Sequence, residues 1–350
     1  MKNRVNINLS IATTKHRKEL RRRYKRRQWC EYYIPSTLTN EQFRKSQKER
    51  VPIYAPNIFS ISKNHDETIA VLNKMLRLII SDKFALLDLS RATMVDLETI
   101  CLLSALMMLP SNKLIYLAVK IPKKTFNSVG NMFHAAQFEE MIMRRKEHNF
   151  THGSFLSMTD TRLNKKPIQK ELDRTLKFFG RHNFEKLKNL SSILVEIVDN
   201  TANHANPRKR NSTPWILNTM ELTGKDGEKR KLYCVVDLGV GIYNSLIDKT
   251  AQYVDSRKPG IKRWMADIKK CTQNTFFSRN IPLGIESTTG DSGRGKGMKY
   301  IYEQAAKNII YTRFEIITNK AILNLLDLQT VKQDEKEDFS GTIYIWEVTI

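Results

Sequence analysis

Between Phe184 and His204 the chain carries two different patterns on what must be one helix. Ile193, Leu194, Ile197 and Val198 recur with helical spacing and form a stripe that has to be buried. Glu196, Asn200 and His204 recur every fourth residue and so share a separate face. A helix built only for packing would be apolar there too. Its polar face is free to line a cleft, and the rest of the fold has to supply both a core for one side and a cavity for the other. The following residues provide the strands: Trp215–Leu222 and Lys231–Val236, then Ile309–Ile317, Ala321–Leu328 and Thr342–Val348. Among them runs a stretch from Tyr243 to Asp291 that is too long for a simple turn, and loops of that length usually act as lids.

Three further segments belong with the polar face. Val235-Val236-Asp237-Leu238-Gly239-Val240-Gly241-Ile242 is an apolar strand that ends in a carboxylate and two spaced glycines. A carboxylate there accepts a hydrogen bond from an exocyclic amine, and the glycines let backbone approach a flat base. Gly290-Asp291-Ser292-Gly293-Arg294-Gly295-Lys296-Gly297 runs into an apolar helix, an arrangement whose backbone amides cradle phosphate while Arg294 and Lys296 add positive charge. Ser340-Gly341-Thr342 opens the last strand, where a hydroxyl can join Asp237 in holding a base.

Helix, strand, lid and glycine loop in this order resemble the nucleotide-binding boxes of the GHKL superfamily (gyrase, heat-shock chaperone, histidine kinase and mismatch-repair ATPases) over Lys170 to Ile350. The resemblance implies a Bergerat-fold ATPase domain with ATP and Mg²⁺ as cofactors. It implies Asn200 as the Mg²⁺ ligand, Asp237 as the adenine-reading carboxylate and Glu196 as the base that orients water. Gly239, Gly241, Gly293, Arg294, Gly295, Lys296, Gly297 and Thr342 complete the implied ATP site. His204 is either a phosphate contact or a helix-end histidine near the negative pole of the macrodipole. Three activities are consistent with this set: an ATP-driven conformational switch, a serine/threonine kinase of the anti-sigma type, and a nucleotide-dependent binding module with negligible turnover. Glu196 does not separate the first two, because anti-sigma kinases also have Glu there. His148, His152 and His182 stand outside any helical hairpin of the kind a sensor kinase needs. GHKL proteins often dimerise, so a homodimer is a further expectation.

In the N-terminal half the order is strand, helix, strand, helix, strand, from Ile58–Ile61 through Glu67–Ile80, Phe84–Leu89 and Asp96–Met108 to Leu114–Val119. The segment from Leu86 to Asp96 with its apolar helix resembles the sulfate-transporter and anti-sigma-antagonist (STAS) domain over Pro52–Met143. Phosphorylated members carry serine after the Asp at the helix start, whereas Leu97 follows Asp96, so a scaffold or dimerisation role is the expectation. The whole chain reads as α/β, an α+β sandwich at residues 170–350 joined through a linker, 146–169, to a small STAS-like domain, 51–145, with a basic arm, 1–50.

The arm holds 15 Lys and Arg against 4 Asp and Glu, nearly half of the chain's net charge of +23. Nine of the thirteen residues from Lys15 to Arg27 are basic, among them Arg21, Arg22, Arg23, Lys25, Arg26 and Arg27, with Tyr24 inside and Trp29, Tyr32 and Tyr33 just after. Charge that neutralises phosphates beside rings that stack points to nucleic acid, or to an acidic protein surface. Cys30, Cys101, Cys234 and Cys271 lie far apart, with no metal-site or disulfide spacing, and read as reduced thiols of a cytoplasmic protein. The longest apolar run, Ile100–Leu109, is too short to span a bilayer.

Overall fold

A computed structural model of the chain describes residues 30–33, 49–81, 83–107, 117–122, 128–142, 147–158, 165–204, 215–252, 266–268, 270–284, 297–330 and 333–350. Met1–Phe150 and Thr151–Ile350 form two compact units. In the first, strands β1 (Cys30–Tyr33), β2 (Val51–Tyr54), β4 (Ala85–Asp88) and β6 (Leu117–Pro122) make a sheet in the order β1-β6-β4-β2. The last three are parallel. Parallel neighbours need crossovers, and α1 (His65–Ile80) and α2 (Leu97–Met107) lie in the two connections. Asp96 caps α2 by accepting the Thr99 N–H at 2.9 Å.

This unit differs from the sequence expectation in two places. Ile58–Phe59 (β3) stays outside the sheet and pairs with β5 (Met94–Val95), while Val51–Tyr54 takes the edge position. Pro52 donates no ladder bond, which an edge strand tolerates. Cys30–Tyr33, expected as part of the arm, pairs antiparallel with β6. Residues 1–29, with Arg21, Arg22, Arg23, Lys25, Arg26 and Arg27, lie outside the described residues. Helices α3 (Ser128–Ala135) and α4 (Phe138–Ile142) complete this part.

The stretch read as a linker, 146–169, contains strands β7 (Glu147–Phe150) and β8 (Gly153–Met158) and the start of α5 (Lys165–Phe179). After α5 comes α6 (Phe184–His204), with the bounds its two patterns predicted. The sheet of the C-terminal half has the order β12-β11-β13-β10-β9-β8-β7, with β9 at Trp215–Thr223, β10 at Lys229–Asp237, β11 at Tyr311–Asn319, β12 at Ala321–Asn324 and β13 at Phe339–Thr349. Between β10 and β11 come α7 (Ile242–Gln252), α8 (Gln273–Asn280) and α9 (Gly297–Lys307).

Register fixes which side chains face the helices. Tyr233, Val235 and Asp237 of β10 stand opposite Trp346, Tyr344 and Thr342 of β13, and alternation puts all six on one face. The first two pairs join the apolar stripe of α6, Ile168 and Leu172 of α5, and Met298 and Ile301 of α9 in one core. Tyr233 and Trp346 stack with ring centroids 4.9 Å apart. At the Asp237–Thr342 end this face turns polar.

At the other end of the same face the core encloses charge. Lys231 is fully buried and its Nζ lies 2.7 Å from Glu171 Oε1 of α5 and 3.1 Å from Glu221 Oε1 of β9. Arg174 Nε adds a bond to Glu221 at 2.9 Å, and the hydroxyl of Ser154 donates to Glu171. Thr175 shares a 2.7 Å hydrogen bond with the Tyr233 hydroxyl. Every charge here has a partner, the condition under which buried ions are tolerated.

Candidate functional site

Asp237 ends the central strand of the sheet with its carboxyl turned toward the helix layer, 4% exposed. Its Oδ1 accepts the Gly239 N–H at 2.8 Å, so the chain folds back over its own carboxylate in a tight turn. Burial pushes Asp237 up to about 7, against the lowering effect of the Gly239 N–H and the Thr342 hydroxyl. A carboxyl held this way is an acceptor with capacity left over. The turn goes on to Gly241, whose φ of 80° and tight surroundings leave no place for a side chain.

The second cluster comes from α6 and the first turn of α9. A methyl added to Gly297 would stand 2.7 Å from Glu196 Oε2 and 3.4 Å from Asn200 Nδ2. The polar face of α6 therefore lies directly against the N-terminus of a helix, where unpaired amides favour negative charge. Glu196 is raised above the ordinary carboxylate range, by burial first and then by the charge of Asp199. Asn200 Nδ2 is buried and makes no well-formed hydrogen bond in the described structure, so it keeps donor capacity.

Tyr344 joins the two clusters. It lies one pair along from Thr342 on the same face, 2% exposed, and its hydroxyl donates to Met298 Sδ at 3.8 Å. Burial raises its phenol, the Asp237 charge adds to that, and the Asn200 amide opposes it. Asp237 and Asn200 thus both act on one hydroxyl.

Comparison with known proteins finds no matching family model, no matching curated protein and no matching solved structure. The site therefore rests on its own geometry.

Of the residues expected from sequence, Glu196, Asn200 and Gly297 come together in one cluster, and Asp237, Gly239, Gly241 and Thr342 in the other. Gly293, Arg294, Gly295 and Lys296 lie outside the described residues. His204 is the last residue of α6, and its side chain is likewise outside what is described. The expected lid from Tyr243 to Asp291 is a different object over much of its length. Residues 242–252 continue as α7, and α8 buries Phe276 and Phe277 edge-on to Tyr243 at 5.5 and 6.0 Å. Asp334 accepts from the Gln273 and Asn274 N–H groups at 2.7 and 2.9 Å, so α8 is fixed to the core.

Sequence reading missed Tyr344 and the Thr318–Asn319 pair of β11. Thr318 Oγ1 accepts the Ile242 N–H at 2.8 Å, and Asn319 Nδ2 donates to Val240 O at 3.1 Å. Both are fully buried. The expected strands stop at Ile317 and resume at Ala321, so both residues fall between them, and a polar pair at a strand end usually signals only a turn.

Among the described residues no group of three or more His, Cys, Asp or Glu gathers to hold a metal ion. The donors present do fit Mg²⁺ of one kind. A single amide oxygen at Asn200, beside an unpaired N–H donor and a helix N-terminus, suits a cation that arrives on phosphate and keeps most of its waters. Among the described residues no helix is long and apolar enough to cross a membrane.

Proposed function

We propose that the C-terminal unit binds ATP with Mg²⁺ and hydrolyses it, and that the bound nucleotide switches how the chain meets a partner. The observation that supports this reading is the pairing of a buried carboxyl, Asp237, at the end of the central strand with a second cluster in which Glu196 and Asn200 stand against a helix N-terminus. Asp237 and Thr342 hold the base, with the adenine amine donating to the carboxylate. Asn200 and the first turn of α9 take the phosphates, and Asn200 Oδ1 is the protein oxygen available to Mg²⁺, which supplies charge neutralisation when bound. Glu196 accepts a proton from water as the water oxygen attacks the γ-phosphorus and ADP leaves. Its raised affinity for protons suits that task.

Incubation of pure protein with γ-labelled ATP tests the reaction. Free labelled phosphate is the expected product, label on protein would turn the reading to a kinase, and label left entirely on ATP would leave a binding module.

Asp237→Asn will weaken ATP binding by on the order of 1–3 kcal/mol, because the amide can face the adenine amine with a second donor. The pH dependence is a sharper signature. Asp237 rises from 3.8 to about 7 on folding, so the empty site is stabilised by the neutral acid, and that contribution is lost as pH rises through 7. The base amine needs the ionised form. ATP affinity should therefore fall about tenfold from pH 8 to pH 6 in the native protein and stay flat in the variant. Isothermal titration at the two pH values reads both effects, and a native affinity that is equal at both would remove Asp237 from the base site.

The basic residues from Lys15 to Arg27 form a separate polyanion contact in this proposal. Deleting residues 1–29, which stops short of β1, is expected to abolish the salt-dependent part of nucleic-acid binding, a slope of about −0.9 per phosphate contacted, without altering ATP affinity. Equal binding of duplex DNA by both proteins at two salt concentrations would exclude this role.

A further inference from the structure

The β11–β12 hairpin turn holds three parts of the molecule at once. On one side Thr318 Oγ1 takes the Ile242 N–H and donates to Gly341 O at 3.1 Å, which ties the turn after Asp237 to the residue before Thr342. Asn319 sits at the turn with φ 54°. Its Nδ2 donates to Val240 O and to Asp338 Oδ1 at 3.3 Å, and its Oδ1 accepts the Asn244 N–H at 3.4 Å. A methyl on Gly241 would come within 2.3 Å of that Oδ1, so amide and turn are in direct contact. On the other side the Lys320 N–H donates to Gln273 Oε1 at 2.9 Å and the Ile322 N–H to Asn274 Oδ1 at 3.2 Å. Five consecutive residues, 318–322, thus reach the base-reading turn, the start of β13 and the first turn of α8.

We infer that Asn319 is a positioning residue for the base side of the nucleotide site, and that through it the hairpin carries the occupancy of that site to α8. The inference rests on the nucleotide reading above. Asn319 touches neither base nor phosphate; it sets the path of Val240–Asn244, and that path sets where the Gly239 N–H meets Asp237. A base that donates to Asp237 favours the ionised carboxylate and the turn that holds it. The same turn is bonded to a side chain whose next neighbour anchors α8. Site and helix are linked by a continuous run of hydrogen bonds through part-buried groups, so a shift at one end is passed to the other.

Asn319→Gly tests this, since glycine accepts the positive φ and loses only the amide. The full chain and the variant are titrated with ATP and with GTP, and hydrogen exchange is followed over residues 273–280 with and without saturating ATP. The expected result is a loss of about tenfold in the preference for ATP over GTP, the size of one lost polar constraint, together with loss of the ATP-dependent slowing of exchange in α8. A purely structural role would weaken both nucleotides equally and leave the ratio unchanged, and that outcome overturns the inference. Retained protection of α8 in the variant overturns the coupling. Failure of the native chain to bind ATP removes the nucleotide reading and this inference with it, whereas native binding with an unaltered variant removes the inference alone.

Discussion

Glu196→Gln will slow ATP hydrolysis by roughly 10²-fold or more while leaving nucleotide affinity nearly unchanged. Glutamine keeps the length of the side chain and its fit against Gly297, so the first turn of α9 stays where it is. What disappears is the carboxylate that faces the first turn of α9, the proton acceptor in this proposal. The carboxylate is suited to that role because burial and the neighbouring Asp199 charge both make it a stronger base than an exposed glutamate. Binding survives because Asn200 and Asp237 are untouched. Phosphate release under saturating ATP, measured beside a nucleotide titration, separates the two effects. Turnover at the native rate in the variant would show that some other residue handles the water.

The second large effect is on stability and lies at the far end of the same sheet face. Lys231→Met should cost about 3–5 kcal/mol, the range found when one partner of a buried ion pair is removed. Methionine fills much of the volume, so the loss is electrostatic: Glu171 keeps only hydroxyl partners and Glu221 keeps only Arg174. For a unit of this size that corresponds to a fall in Tm of about 10 °C or more. Thermal melting of the full chain measures it, and the triple replacement Lys231→Met, Glu171→Gln, Glu221→Gln should recover part of the loss by removing the stranded charges. A single variant that melts with the native protein would mean that the cluster contributes no net stability.

The parts of this molecule that were legible in sequence are those where one pattern has one cause. Phe184–His204 was readable to its ends, because an apolar stripe and a polar row at helical spacing leave no alternative. Asp237 was readable as the end of an apolar strand. Where two causes produce the same letters, sequence misled. Leu325 and Leu328 extended the expected strand at Ala321 because they are apolar, yet β12 stops at Asn324 and both leucines are buried in the irregular chain beyond it. The polar opening of α8, Gln273-Asn274-Thr275, read as part of a lid, but Thr272 caps the helix at the Thr275 N–H, the Gln273 and Asn274 side chains anchor the neighbouring hairpin, and Phe276 and Phe277 enter the core. Glu147–Phe150 gave no alternation at all, and a strand at the end of the sheet needs little of it. Asn319 was illegible for a different reason: its partners at Val240 and Asn244 are about 75 residues away, and only the fold brings them into range.

The anchoring of α8 also bears on self-association. β12 is the last strand on its side of the sheet, and an outermost strand offers free amides to any passing extended chain. Here the outward N–H of Ile322 is already taken by Asn274, and that of Lys320 by Gln273. The helix thus stands as a stopper at this corner of the border, and a chain adding at Ile322 would first have to displace it.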